Sequence, residues 1–187
     1  MMPLLLSLVW FAIHAAGGPP ELPVAHRLSE VPLVERSADR CGPAALSAVL
    51  RYHGDQVGMG EIAEAIYLPD YRGSLNLDLL LFSRRRGFEA WAGTGSADQL
   101  RRALAGNRPV ICMVRRSNPL ASRNHFVVVR GYDWGREVWF VDSGEGKEDV
   151  LRAADFEAEW GRCDHWMLVV EGKKPAATGQ QWECSKD

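Results

Sequence analysis

Nowhere do the 187 residues hold a run of about 18 apolar residues, the length a helix needs to cross a bilayer. A basic excess is also missing. The 22 Lys and Arg against 24 Asp and Glu leave a formal net charge of −2, so no field draws in nucleic acid or an anionic membrane surface. Cysteine is scarce, with 4 residues and no CxxC pair, which excludes a disulfide-built scaffold. Internal repeats and low-complexity segments are absent. What remains is 47% hydrophobic and 25% charged, an ordinary globular composition that rules out disorder and a collagen-like fibre. A chain of this length is expected to form one domain around its own core.

The amino terminus is unlike the rest. Leu4 to Ile13 is apolar over about ten residues and is followed by Ala15, Ala16 and Gly17, the layout of a signal-peptide core and cleavage site. It carries no Lys or Arg before the apolar run. Residues 1–17 are therefore expected to be a signal peptide, with a retained membrane anchor or an apolar element packed on the domain as alternatives. The protein is expected to be exported, periplasmic or secreted. The domain is expected over 18–172 and a polar tail over 173–187.

The body reads as helices first and strands second. Gly42 to His53 has Pro43 in its first turn, strong formers after it and Gly54 as a stop. Met59 to Tyr67 predicts a short helix ended by Pro69. A third helix follows Ser74 as cap and stops at Gly87, and a fourth spans Ala97 to Ala105 behind Ser96. Short runs rich in Val, Phe and Trp at Pro109 to Val114, Phe126 to Val129, Val138 to Val141 and Trp166 to Val170 read as buried strands. A short helix is expected at Asp155 to Trp160. The sum is an α+β fold with helices packed on an antiparallel sheet.

Three residues carry candidate chemistry. Cys41 precedes Gly42-Pro43 and so sits at a helix amino end, where unpaired N–H groups and the helix dipole favour a negative sulfur. Gly42 removes a side chain beside that sulfur, which would let a substrate backbone approach. A buried structural cysteine is the plainer reading. A thiol nucleophile needs a base, and the base needs an orienting group. His125 opens one strand and Asp142 closes another, with Asp133-Trp134-Gly135 as a turn between them. A two-residue loop at Asp133-Trp134 would set His125 opposite Asp142 on one face, with Cβ atoms roughly 4.5–5.5 Å apart.

Cys41-Gly42-Pro43-Ala44-Ala45-Leu46, the strand beginning at His125 and Asp142 beyond it resemble the bacteriocin-processing peptidases. These papain-like cysteine peptidases cut after double-glycine leader sequences, often as domains of export transporters. The resemblance spans roughly residues 30–171, and Phe156 to Trp160 with the last strand resemble the family's closing segment. It implies a papain-like fold, Cys41 as nucleophile, His125 as general base and acid, Asp142 as orienter, no cofactor or metal, and a peptide or protein substrate. A separate export transporter is an implied partner.

Two departures matter. Ser143 stands where the family often has Pro after its Asp. Glu35 stands where the papain-like pattern has a Gln whose amide donates to the oxyanion. An ionised carboxylate only accepts hydrogen bonds, and loss of one oxyanion donor costs about 10²–10³ in turnover. A protonated Glu35, a donor from Arg36 or Arg40, or the Cys41 backbone N–H would compensate. Otherwise the chain is a non-catalytic peptide-binding module. A thiol acyl or amide transferase on the same scaffold is the third reading.

The remaining features read as structural. Cys163 and His165 have no second spaced pair, so no metal is expected. In an exported protein Cys163 would pair with Cys184, and Cys112 lies in a core strand. Arg84-Arg85-Arg86 suits a solvated helix end. Trp139 and Trp166 are expected in the core, with Trp91 or Trp134 bordering a groove.

Overall fold

A computed structural model describes residues 21–35, 39–118 and 121–173. The expected signal segment, residue 36 and Cys184 therefore lie outside the described residues.

The amino-terminal half builds helices α1 (Cys41–Tyr52), α2 (Met59–Ile66) and α3 (Asn76–Arg85) after a short strand β1 (Ala25–Arg27). Pro43 starts α1 as expected. Gly54, with φ +84°, supplies the left-handed turn that ends it. Ser74 does not cap α3. The cap position is Leu75, with no side-chain cap bond, and the Ser74 hydroxyl lies instead against Gly42. Ser96 does cap α4 (Ala97–Ala105), accepting from the Gln99 backbone N–H at 3.3 Å.

Strand β2 (Phe88–Thr94) precedes α4. The carboxy-terminal half then gives β3 (Val110–Asn118), β4 (Ala121–Asp133), β5 (Val138–Asp142), β6 (Glu148–Arg152), α5 (Ala153–Gly161) and β7 (Trp166–Lys173). The seven strands form one antiparallel sheet in the order β2-β7-β3-β4-β5-β6, with β1 paired to the far end of β4. The α+β architecture is that expected from the sequence. Three strands, β1, β2 and β6, were not legible there. Each is mostly exposed or half-buried, so none carries a continuous apolar run. Gly131 allows β1 to pair: a Cβ there would stand 2.7 Å from the His26 carbonyl oxygen.

The core fills both sheet faces. Helix α1 packs on β3 and β4, while α5 packs on β3, β5 and β6. Trp139, Phe156 and Trp160 are almost fully buried and stack in sequence between sheet and α5. Trp139 is thus core as expected. Trp91 and Trp134 are exposed, and the Arg101 guanidinium lies 4.7 Å from the Trp134 ring centre.

The arginine run at the end of α3 is not simply solvated. Arg84 donates to the Ala90 carbonyl, and Arg86 donates to both Asp55 oxygens at 2.8 and 3.1 Å and to Glu61 at 2.8 Å. Lys173, grouped by sequence with the tail, ends β7 and reaches Asp55 at 3.2 Å.

Candidate active site

Cys41 is the first residue of α1 and is half-buried. The helix has no side-chain cap, and its first backbone bond runs from Ala44 N–H to the Arg40 carbonyl. Pro43 has no N–H, so the Cys41 and Gly42 N–H groups are the donors of this helix end. The space left by the missing Gly42 side chain is taken from within the fold. A Cβ there would meet Ser74 Cβ at 3.2 Å and Leu79 Cδ1 at 3.4 Å, and Gly42 is itself buried.

Cys41 shares a small cavity of about 10 Å³ with Val34, Ala44, Phe126, Val128 and Asp142. That volume is at the lower limit for one water. Asp142 is 3% exposed. Its Oδ1 accepts from the Gly144 N–H at 2.7 Å and its Oδ2 from the Val34 N–H at 3.4 Å. Burial raises its carboxyl from its ordinary value, against the pull of those two N–H groups and Arg130. Through Val34, Asp142 anchors the segment that carries Glu35, whose own side chain is exposed.

His125 is 9% exposed, and its Nε2 lies 3.0 Å from the carbonyl oxygen of Ser143. A carbonyl only accepts, so this nitrogen carries the proton. The strand register differs from the expected one. Asp142 pairs with Val128, and His125 pairs with Val114 on β3. Two features shift it. The hairpin loop is four residues long, because Asp133 pairs with Val138, and Glu137 takes φ +52°. The register also slips between Val129 and Gly131, where the buried Arg130 turns its guanidinium to the carbonyls of Leu28, Ser29 and Val31.

The consequence concerns faces. Strand alternation puts Asp142, Val128 and Phe126 on the α1 face, whereas His125 alternates with them and shares its side with Val127 and Val129. Cys41 and Asp142 are brought together. His125 stands one residue beyond Asp142 through Ser143, and among the described residues no hydrogen bond joins it to Cys41 or to Asp142. It lies past the last β5-paired residue of β4, where β4 still pairs with β3. Arg123, on the same side of β4, reaches Asp39 at 3.4 Å, two residues before Cys41.

With this geometry in hand, a family model, the Peptidase C39-like family, matches residues 28–165. The chain belongs to the C39-like peptidase family. Three solved structures share its fold. One is a Bacillus anthracis protein assigned as a C39-like peptidase, 16% identical, with a TM-score of 0.64 over 81% of this chain and 99% of that one. Another is the peptidase domain of Streptococcus ComA, a bifunctional ABC transporter, 20% identical, with a TM-score of 0.61 over 76% and 99%. The third is a double-glycine-motif protease from an AMS/PCAT transporter bound to its leader peptide, 20% identical, with a TM-score of 0.62 over 79% and 95%. No curated protein matches the sequence. At these identities the neighbours show the fold, which for this C39-like chain is that of a cysteine peptidase.

Sequence reasoning missed the Ser143 carbonyl as the partner of His125. A backbone acceptor leaves no residue-type signal. It also missed Arg116, whose Nη2 donates to Ser143 Oγ at 2.7 Å. Ser143 was visible in the sequence only as a departure from the family's usual Pro.

Among the described residues no cluster of three metal-ligating side chains occurs. No helix there is long and apolar enough to cross a membrane. Cys163 is buried, with Sγ 3.7 Å from Asn124 Oδ1.

Proposed function

We propose that this C39-like chain is a cysteine peptidase acting on a peptide or protein substrate through Cys41, His125 and Asp142. The observation that carries the reading is Cys41 at the uncapped start of α1, in one cavity with Asp142, with His125 held one residue further along. With Nε2–H given to Ser143, Nδ1 is the nitrogen that takes the thiol proton. The sulfur then attacks the scissile carbonyl carbon. The protonated imidazole returns its proton to the leaving amine, and a thioester remains on Cys41. Water, giving a proton to His125, attacks the thioester, and Cys41 leaves as the free thiol. Among the described residues no hydrogen bond joins Cys41 to His125. Catalytic contacts commonly tighten only with substrate bound, and Arg123, on the same side of β4 as His125, reaches Asp39 at 3.4 Å, two residues before Cys41.

The Cys41 backbone N–H is the oxyanion donor in this reading. Glu35 can only accept when ionised, and the Arg40 guanidinium lies 5.7 Å from the Tyr67 ring centre. The substrate class follows the neighbours, one of which is bound to a leader peptide. Cleavage after a double-glycine leader, cooperation with a separate export transporter, and action outside the cytoplasm are parts of the same proposal.

The test is the rate of Cys41 alkylation by iodoacetamide against pH, resolved by site with mass spectrometry, in the parent and in His125→Ala. The Cys112 thiol, buried and pushed up by burial, is the unreactive reference within the same chain. A Cys41 reaction persisting well below pH ~8.5, the ordinary thiol region, and lost in the variant establishes the pair. An ordinary thiol profile in both proteins overturns it and leaves a peptide-binding module.

A further inference from the structure

Ser143 joins β5 to the turn before β6, and both its carbonyl and its hydroxyl are engaged. The carbonyl takes the His125 Nε2 proton at 3.0 Å, and the hydroxyl accepts from Arg116 Nη2 at 2.7 Å. Arg116 Nε lies 3.6 Å from Glu159 on α5. A connected path thus runs from α5 through β3 to the residue that orients the imidazole. Both oxygens of Asp142 are meanwhile turned to backbone N–H groups, those of Gly144 and Val34. Ser143 is itself fully buried, so the direction of its carbonyl is fixed by what holds its side chain and its neighbours.

We propose that Arg116, acting through Ser143, is a positioning residue for His125, and that the Ser143 carbonyl, rather than the Asp142 carboxylate, sets the imidazole tautomer. The inference rests on the peptidase reading for its consequence but not for its geometry. A residue without a hydroxyl at position 143 would leave Arg116 nothing to hold there, so the latch rests on the pairing of Ser143 with Arg116. Asp142 acts on the other side of the turn, fixing Gly144 and the segment leading to Glu35. Among the described residues, Arg116 of β3 pairs in register with Arg123 of β4, two residues from His125, and ties to Glu159 of α5.

The experiment uses the full chain. The ring nitrogens of His125 are read by ¹⁵N NMR, assigned by His125→Ala, in the parent, Arg116→Ala, Arg116→Lys, Ser143→Ala and Asp142→Asn. The pH profile of Cys41 alkylation is measured on the same samples. The proposal expects a single Nε2–H tautomer in the parent and in Asp142→Asn. It expects mixed tautomers in Arg116→Ala and Ser143→Ala, with alkylation near pH 7 slowed about 10-fold, the scale of one hydrogen bond to a charged group. Arg116→Lys, which keeps a donor, should restore most of the parent signature, and this separates positioning from a general loss of fold. A parent-like tautomer in Arg116→Ala and Ser143→Ala overturns the proposal, as does a tautomer switch in Asp142→Asn alone. If His125→Ala leaves the alkylation profile unchanged, the peptidase reading fails, while the ring signals still decide the latch.

Discussion

The two ends of α1 each hold a buried aspartate, and the two are treated in opposite ways. Beyond the carboxy-terminal end, Asp55 is 4% exposed and meets Arg86 and Lys173, with a further bond from the Val57 N–H at 3.0 Å. Hydrogen bonds from Arg86 outweigh burial and hold its carboxyl down at about 2. At the amino-terminal end, Asp142 is equally buried but is held by two backbone N–H groups, and burial wins, raising its carboxyl. One end is anchored by ion pairs between α3, β7 and the loop after α1. The other keeps an incompletely neutralised carboxylate beside a thiol. Perturbed groups of the second kind gather at functional sites, and those of the first kind at structural joints.

The comparison breaks most visibly at Cys41. Cys41→Ala should abolish peptide cleavage while leaving the melting temperature close to that of the parent, because the side chain contributes only partly buried surface. Cleavage comparable to the parent would remove the catalytic meaning of this end of the helix. Glu35→Gln sharpens the same end by restoring an amide donor, with turnover expected to rise by up to about 10²-fold. An unchanged kcat would show that the Cys41 N–H already carries the oxyanion.

At the other end, Asp55→Ala should lower stability by roughly 2 kcal/mol, about 4–8 °C in Tm, without changing activity per folded molecule. The cost is below that of a fully buried pair because the Arg86 and Lys173 side chains are 31% and 53% exposed and Arg86 keeps Glu61. The effect is set by pH. A carboxyl lowered to about 2 stabilises the fold above its ordinary value of 3.8, and the contribution is lost as pH falls from about 4 toward 2. Denaturant melts of the parent and Asp55→Asn should therefore converge across that window, and parallel curves would contradict the ion-pair account.

Asp142 has the opposite sign. Its raised carboxyl binds protons more tightly in the folded state, so this group costs stability as pH rises through the ordinary carboxylate range and above. Asp142→Asn keeps one acceptor oxygen but turns an NH2 toward the other backbone N–H, so it should flatten that rise in cost and lower neutral-pH stability by about 1–3 kcal/mol. A pH dependence unchanged in the variant would mean that a group other than Asp142 carries that cost.

The legibility of these two ends differed too. Cys41 could be placed at a helix start from Gly42-Pro43 and the formers that follow, because helix initiation is written in local chemistry. The strands at Val110, Phe126, Val138 and Trp166 were equally plain as buried apolar runs. Asp55 drew no notice in the sequence, since Arg86 and Lys173 lie far along the chain and nothing local marks them as its partners. The expected facing of His125 and Asp142 failed because register depends on loop length and on the slip at Arg130. That slip follows from a buried guanidinium satisfying three carbonyls of the 28–31 segment, a distant contact.

By itself, then, the sequence determined the α+β layout, the helix that begins at Cys41, the family, and the residues that carry the candidate chemistry. These follow from capping chemistry, apolar periodicity and short motifs, all of which act within a few residues. Only the tertiary structure decided which side chains meet: Cys41 with Asp142 across a small cavity, His125 with the Ser143 carbonyl, and Arg116 with the Ser143 hydroxyl. Those pairings turn on strand register, where a slip of one residue moves a side chain to the opposite face. No local rule fixes that slip when a buried arginine elsewhere in the fold sets it.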